Sequence, residues 1–300
     1  MSDLHHAVSL LKEGKLIGLP TETVYGLAAD ALNSKAMASI FHLKGRPTFN
    51  PLIIHTHSLE ALKEDIIITP TARLLAEHFW PGPLTLVLRR SPHCRIDPLA
   101  SAGLPTLAVR IPRHPLALEL LKLINRPLAA PSANLSNHLS PTTKDMVLKD
   151  FKDLYVLEGG PAVVGVESTI IGLEGDVPTL YRPGGIALEA IEAVIGTIAQ
   201  PGKGIHAPGM QKKHYAPNHS LRLNAVSKNE GELLLGFGDT KNADLNLSPT
   251  GDLTEAASNL FYMLHLLDAR PSKGIAVSPI PMIGLGLAMN DRLKRGAVRD

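Results

Sequence analysis

The chain has 300 residues, of which 44% are hydrophobic and 19% charged, a balance typical of packed globular proteins. Its formal net charge is only +2, which excludes a nucleic-acid binder that acts through overall charge but allows a local basic groove. Cys94 is the single cysteine, so the sequence excludes both an intrachain disulfide framework and a cysteine-rich zinc site. We expect a cytoplasmic protein with neither a signal peptide nor a membrane-spanning stretch.

Hydrophobic periodicity and chain-breaking residues predict the elements of the first 200 residues. Helices are expected at residues 4–13, from Asn33 or Ser34 to Lys44, and at 71–79, 116–124 and 187–195. Strands are expected at residues 16–19, 52–55, 84–88, 106–111 and 128–130, near Tyr155, and at 168–173 and 179–181. Helices and strands alternate, but some strands follow each other directly, so the pattern predicts a mixed, twisted α/β sheet.

The segment 201–217 interrupts this pattern with several glycines and prolines, three lysines and two histidines, and is interpreted as a linker. Beyond it, strands are expected at 221–223, 233–237 and 275–277, and an amphipathic helix at 253–267. The sequence therefore predicts a first domain at 1–200, a linker at 201–217, and a small C-terminal α/β domain at 218–300.

Familiar phosphate-binding motifs such as G-x-x-x-x-G-K-[ST] are absent from the sequence, so a nucleotide would need a different cradle. One candidate is the turn 20–26 after a buried strand, where Thr21, Glu22 and Thr23 offer polar groups; a self-capping polar turn explains it as well. Another is Lys44 with Arg46, which can converge on a polyphosphate or simply end a helix.

Other candidates follow strands or lie on one strand face. Thr106 and Arg110 share one face of their strand. Arginine binds carboxylates through two parallel hydrogen bonds, which favours a ligand site. An arginine that faces away from the core is, however, often simply exposed to solvent. The polar loop 131–134 with Ser140, and Arg182 before two glycines, can bind a ligand or be ordinary surface turns.

The linker adds Lys212, Lys213, His214 and Tyr215, which can close over a nucleotide as a lid or be merely solvated. His55 and His57 alternate onto one strand face, but no acidic or cysteine partner is near them, so no side-chain metal site is predicted. The whole set supplies cations and hydroxyls without an obvious nucleophile, which favours positioning and charge neutralisation over covalent catalysis.

In these segments the sequence closely resembles the threonylcarbamoyl-AMP synthases, the YrdC-like family. The segments are LPTETVYGLAADA, KGRPTFNPLIIH, FWPGPLTLVL, LAVRIP, APSANLS, ESTIIG and YRPGG, and the linker APGMQKKHYAP resembles the connector of the two-domain form. The resemblance implies a YrdC-like twisted sheet around a concave basic cleft. It also implies the synthesis of threonylcarbamoyl-AMP and pyrophosphate from L-threonine, bicarbonate or CO2, and ATP with Mg²⁺.

The resemblance further implies a partner transferase, which modifies tRNAs reading ANN codons, and a possible tRNA contact. It assigns the L-threonine pocket to Thr23, His55, Arg110, Ala130 and Ser168. It assigns the ATP site to Lys44, Arg46, Asn50, Thr106, Ser132, Asn134, Ser140, Arg182 and Tyr215, with Lys44 and Arg46 also catalytic. Relatives often have threonine at the position of Ala130, so only a backbone contact is expected there.

Two alternatives remain at this stage. A non-catalytic module could bind double-stranded RNA on the same basic face, although aromatic residues make up only 4% of the chain. Carbamoyl-AMP chemistry, as in hydrogenase-maturation carbamoyltransferases, is the other; those chains carry cysteine-rich zinc modules, and the single cysteine here argues against it.

Overall fold

The computed structural model describes residues 3–202, 204, 207–210 and 213–298. Two β-sheets organise the chain, one built from residues before 185 and one from residues after 220. In the described part of the chain, no helix is both long and apolar enough to cross a lipid bilayer.

The first sheet is mixed and has eight strands. They are β1 (Ile17–Leu19), β2 (Gly26–Asp30), β3 (Ile53–His55), β4 (Leu84–Arg89), β5 (Thr106–Arg110), β6 (Leu128–Ala129), β7 (Thr169–Gly172) and β8 (Thr179–Arg182). Their order is β1-β2-β6-β3-β5-β4-β7-β8. Strand β3 pairs in parallel with β5, and β4 with β7, whereas the other pairs are antiparallel. This topology confirms the predicted mixed α/β sheet.

Helices cover both faces of this sheet. They are α1 (Asp3–Lys12), α2 (Ser34–Lys44), α3 (Pro70–Phe79), α4 (Pro115–Ile124), α5 (Lys144–Asp150) and α6 (Leu188–Ile195). Helix α2 begins where expected because the Asn33 side chain accepts hydrogen bonds from the backbone N–H groups of Lys35 and Ala36. It ends at Gly45, whose φ of 58° lies in the left-handed region that glycine enters at little cost. The chain therefore turns sharply just after Lys44.

Three features of the first 200 residues differ from the sequence prediction. Strand β2 and helix α5 were not expected. The strand predicted near Tyr155 is wrong, since only a single bridge joins Val156 to Gly18 there. The residues of β2 are all buried and mostly small, so they lack the alternation of polar and apolar side chains that identifies a half-buried strand.

We call residues 201–217 the connecting segment and residues 218–298 the C-terminal domain. The C-terminal domain contains β9 (Leu221–Arg222), β10 (Glu232–Gly236), β11 (Leu245–Asn246), α7 (Leu253–Asp268), β12 (Gly274–Val277) and α8 (Leu285–Gly296). Its strands form a four-stranded parallel sheet in the order β11-β10-β12-β9. The small C-terminal α/β domain is therefore confirmed, although β11 and α8 are not predicted by the sequence pattern.

The C-terminal domain packs directly against the first sheet and its loops. Its apolar core includes Leu260 and Phe261 of α7 together with Val24, Val166 and Tyr215 from earlier in the chain. A Cβ atom at position 165, which is a glycine, would lie 2.5 Å from the backbone carbonyl oxygen of Ala257 in α7. The two parts of the chain thus share one close-packed core.

Candidate active site

Polar residues from several loops meet in one cleft beside the first sheet. Strands β3 and β5 lie side by side and end there at His55 and Arg110, and the turn after β1 reaches the same place. Nine of the predicted site residues line this cleft: Thr23, Arg46, His55, Arg110, Ala130, Ser132, Ser168, Arg182 and Tyr215. The structure therefore gathers residues separated by almost 200 positions into a single site.

The other five predicted residues, Lys44, Asn50, Thr106, Asn134 and Ser140, are buried but lie outside the lining of the cleft. The Ser140 hydroxyl donates to the Glu167 carboxylate at 2.5 Å, and Glu167 does line the cleft. The Asn50 carbonyl oxygen accepts from Arg46 Nε at 3.2 Å. Thr106 begins the strand that ends at Arg110, about 13 Å away at ~3.3 Å per residue. Thr106 is thus the least connected member of the predicted set.

Arg110 is the central cation of one end of the cleft, and only 3% of it is exposed. Its Nη1 donates to Thr23 Oγ1 at 2.9 Å, and its Nε donates to the Gly82 carbonyl oxygen at 3.2 Å. Its Nη2 lies 2.7 Å from Glu22 Oε1, which makes a buried ion pair. These contacts fix the plane of the guanidinium group, and an arginine held in this way suits a carboxylate of a ligand.

Two neighbouring side chains complete this end. Within the described residues, neither carboxylate oxygen of Glu22 is in a well-directed hydrogen bond, although the residue is buried. Burial, and secondly the charge of Arg110, lower the pKa of His55 to about 3, so its imidazole is neutral at physiological pH. Here the cleft therefore offers a cation, an anion and a neutral ring close together.

Arg46 and Arg182 supply the positive charge of the other end. Arg46 donates from Nε and Nη2 to the carbonyl oxygens of Asn50 and Pro51, and Arg182 donates to that of Ser168. Neither guanidinium group is paired with a carboxylate of the described residues. Burial lowers the pKa of Arg46 to about 10, so the group still carries its charge at pH 7. Two buried cations that are not in an ion pair with a described carboxylate favour an anionic ligand.

Lys44 contacts the protein backbone in this structure. Its Nζ donates to the Ser132 carbonyl oxygen at 2.6 Å and to that of Asn134. Burial, and next the charge of Arg46, lower the pKa of Lys44 well below its ordinary value. Lys44 therefore fixes the loop that carries Ser132 and Asn134.

Described residues of the connecting segment border the cleft. Pro208, Gly209, His214 and Tyr215 belong to its lining, and Tyr215 is only 2% exposed. The ring centroids of His214 and Tyr215 are 3.9 Å apart. Tyr215 has a φ of 61°, a left-handed conformation that is rare for a bulky residue and is often found at functional sites. Lys212, predicted beside them, lies outside the described residues.

With the connecting segment in this position, the cleft encloses a volume of about 50 Å³. Sites that hold small-molecule ligands usually measure roughly 300–1,000 Å³. In the described structure the cleft is therefore smaller than a typical small-molecule site.

Family comparisons agree with this geometry along the whole chain. Residues 9–184 match the Sua5/YciO/YrdC family, described as telomere recombination, and residues 186–298 match the threonylcarbamoyl-AMP synthase C-terminal domain. The chain belongs to the threonylcarbamoyl-AMP synthase family. This confirms the family predicted from the sequence motifs.

Individual relatives in the threonylcarbamoyl-AMP synthase family are similar over nearly their full length. The chain is 42% identical to the enzyme of Pyrococcus abyssi over 97% of this chain and 93% of that protein. It is 38% identical to the Bacillus subtilis enzyme over 97% and 92%, respectively. The crystal structure of P. abyssi Sua5 complexed with L-threonine superposes with a TM-score of 0.91 at 38% identity, covering 99% of this chain and 95% of that one.

The sequence motifs of the threonylcarbamoyl-AMP synthases did not lead us to two charged groups of the site. Glu22 and Glu167 each lie in a candidate segment of the sequence, but the sequence assigns neither of them a role. A third, Arg292, contacts Glu167 from α8, and no signal in the sequence connects residues 125 positions apart. For Glu22, a carboxylate within an otherwise hydroxyl-rich turn was a usable signal.

Proposed function

We propose that this protein condenses L-threonine, bicarbonate or CO2, and ATP into threonylcarbamoyl-AMP and pyrophosphate, as its family membership implies. One observation carries the proposal: Arg110, which suits an amino-acid carboxylate, opens into the same cleft as Arg46 and Arg182, which suit phosphates. The L-threonine in the complex of P. abyssi Sua5 supports threonine as the amino acid.

At the threonine end, we assign Arg110 to the carboxylate of the substrate. The negative charge of Glu22 suits its ammonium group. Thr23 and Ser168 offer hydroxyl groups, and the neutral imidazole of His55 offers a hydrogen bond without adding charge. Ala130 contributes only its backbone and a small side chain, which leaves room for the ligand.

At the nucleotide end, we assign Arg46 and Arg182 to the phosphates of ATP, with Ser132 beside them. Asn50, Asn134 and Ser140 support these residues from behind, and the assignment of Thr106 stays a prediction. Lys44 holds the loop 132–134 and reaches a phosphate only if it releases a backbone carbonyl. Tyr215 covers the nucleotide.

Mg²⁺ is proposed to enter with ATP and to be held mainly by its phosphate oxygens. Within the described residues, no three potential metal-ligating side chains lie together, and Glu22 and Glu167 are each paired with an arginine. The ion would add positive charge to that of Arg46 and Arg182.

The reaction has two bond-forming steps. The threonine ammonium group first loses a proton. The free amine nitrogen then attacks the carbon of CO2 and loses a second proton, which gives a carbamate. A carbamate oxygen then attacks the α-phosphorus of ATP, and the bond to the bridging oxygen breaks, so pyrophosphate leaves with the electron pair. The protein contributes alignment, worth about 7–11 kcal/mol at best, and charge neutralisation. The connecting segment excludes water from the short-lived carbamate.

The product fits the further proposals that a separate transferase moves the threonylcarbamoyl group to tRNA and that the chain itself contacts tRNA. We also propose a cytoplasmic location, where ATP, threonine and tRNA are all available.

The decisive assay mixes protein, ATP, Mg²⁺, bicarbonate and L-threonine and leaves out one component at a time. We expect pyrophosphate release only in the complete mixture, and threonylcarbamoyl-AMP as the co-product by mass spectrometry. Release that is indifferent to threonine would contradict the proposal. Binding of duplex RNA in a gel shift, without threonine-dependent release, would favour the RNA-binding alternative.

A further inference from the structure

Arg292 is a buried cation of the C-terminal domain that the proposed reaction does not use. It lies on α8, and only 1% of it is exposed. Its Nε donates to Glu167 Oε2 at 2.7 Å, and its Nη1 donates to the Pro183 carbonyl oxygen at 2.9 Å. Burying an arginine is costly, so such a residue is expected to have a specific partner. Nη1 also donates to Asp291 Oδ2 of α8 itself at 2.8 Å. Glu167 and Pro183, however, belong to the first sheet and its loops.

Glu167 stands between two arginines. It lines the cleft with Arg182, which donates to the carbonyl oxygen of Ser168, the next residue along the chain. Burial alone would raise the pKa of Glu167, but the charges of Arg292 and Arg182, together with hydrogen bonds from Ser140 and Arg292, leave the pKa lowered. The group is therefore a carboxylate at pH 7. It accepts hydrogen bonds from Arg292 and Ser140, and no carboxylate of the described residues forms an ion pair with Arg182.

Arg292 also reaches the residue that covers the cleft. Its guanidinium carbon lies 5.1 Å from the centroid of the Tyr215 ring, within the range of a cation–π contact. On α8, a Cβ atom at Gly296 would come 2.7 Å from the Tyr215 carbonyl oxygen, so the helix touches the backbone of Tyr215 as well. One side chain of the C-terminal domain thus contacts both Glu167 and Tyr215.

We propose that Arg292 is a positioning residue for nucleotide binding: by pairing with Glu167 it keeps that carboxylate from neutralising Arg182, and it supports the ring of Tyr215 over the cleft. This inference rests on the proposed function, because it needs ATP phosphates beside Arg182. It also gives the C-terminal domain a definite task, which is to preserve the positive charge of the nucleotide end.

The test compares Arg292→Met, Glu167→Gln and the double variant. Isothermal titration calorimetry with α,β-methylene-ATP and, separately, with L-threonine measures the two affinities. For Arg292→Met we expect nucleotide affinity to fall about tenfold, because a freed Glu167 competes for Arg182, and threonine affinity to change little. In the double variant, removing the carboxylate charge should restore part of the nucleotide affinity, an effect that loss of packing alone would not produce.

Lys294→Met is the matched control, since Lys294 is an exposed cation of the same helix; its nucleotide affinity should equal that of the wild type. If Arg292→Met does not fold, as judged by circular dichroism, Arg292→Lys with and without Glu167→Gln provides the same comparison. Unchanged nucleotide affinity in Arg292→Met, an equal loss of threonine affinity, or a double variant as weak as the single one would overturn the inference. Failure of the proposed function would appear separately, in wild-type protein that releases pyrophosphate without threonine.

Discussion

His55 and Arg110 stand opposite each other in the register of the parallel strands β3 and β5. Both are buried in the cleft, so a positive charge on His55 would face that of Arg110 in a poorly solvated place. The structure therefore holds His55 neutral, and this makes the folded protein less stable at acidic pH.

The first prediction concerns stability against pH. The unfolded chain binds a proton at a histidine pKa near 6.5, whereas the lowered pKa of about 3 keeps His55 unprotonated in the folded protein. Stability is therefore lost as the pH falls from 6.5 toward 3, by about 2 kcal/mol between pH 7 and pH 5 from this residue alone. In urea denaturation, the free energy of unfolding of His55→Gln should therefore fall by about 2 kcal/mol less between pH 7 and pH 5 than that of the wild type. His78→Gln, at an exposed histidine, should behave like the wild type.

The second prediction separates the two ends of the cleft. Arg110→Ala should weaken L-threonine binding by about 10–100-fold, because a charge-assisted contact to the carboxylate is lost, while nucleotide binding changes far less. Calorimetric titration with each ligand measures both. Arg113→Ala, at an exposed arginine just beyond the strand, is the control. An equal loss of both affinities would remove Arg110 from the threonine pocket.

The third prediction concerns the cover of the nucleotide. Tyr215→Ala should speed the release of a fluorescent ATP analogue on the order of tenfold, because the ring that closes the cleft is gone. Stopped-flow displacement gives the rate. Tyr262→Ala, which removes a 41% exposed tyrosine of α7, should leave it unchanged. If Tyr215→Ala releases the analogue at the wild-type rate, the connecting segment does not act as a lid.

The fourth prediction tests the packing of the YRPGG turn. A Cβ atom on Gly184 would lie 2.3 Å from the backbone carbonyl carbon of Ser168, so alanine there must push apart the two segments that carry Ser168 and Arg182. We expect Gly184→Ala to destabilise the fold by about 1–3 kcal/mol and to lower kcat/KM. Gly175→Ala has open space around it and serves as the control in denaturation and activity assays. Equal stability of the two variants would contradict the close approach.

Much of the fold could be predicted because local signals agree with it. Asn33 and Gly45 bracket α2 as the sequence indicates, and the order of strands and helices gives the mixed sheet. Helix α8 could not be predicted, since its buried face contains Arg292, and a cation interrupts the apolar stripe by which an amphipathic helix is identified.

The candidate site was predictable where each residue lies within a compact motif. Nine assigned residues line one cleft, whereas Thr106 was placed by strand-face alternation and lies at the other end of its strand from Arg110. The pairing of Glu167 with Arg292 could not be predicted from the sequence, because it depends on how the two sheets pack and not on any local pattern.

The shared apolar core has a consequence for anyone who wishes to divide this protein. Val24 and Tyr215 line the cleft and also belong to the core of the C-terminal domain. Dividing the chain near residue 217 would therefore expose hydrophobic surface on both fragments. The two parts of the chain therefore cannot be exchanged between relatives as independent modules. A chimera between relatives should therefore take several segments from the same parent. They are the turn at Val24, the stretch around Gly165 and Val166, and the connecting segment with Tyr215, together with the helices that pack against them.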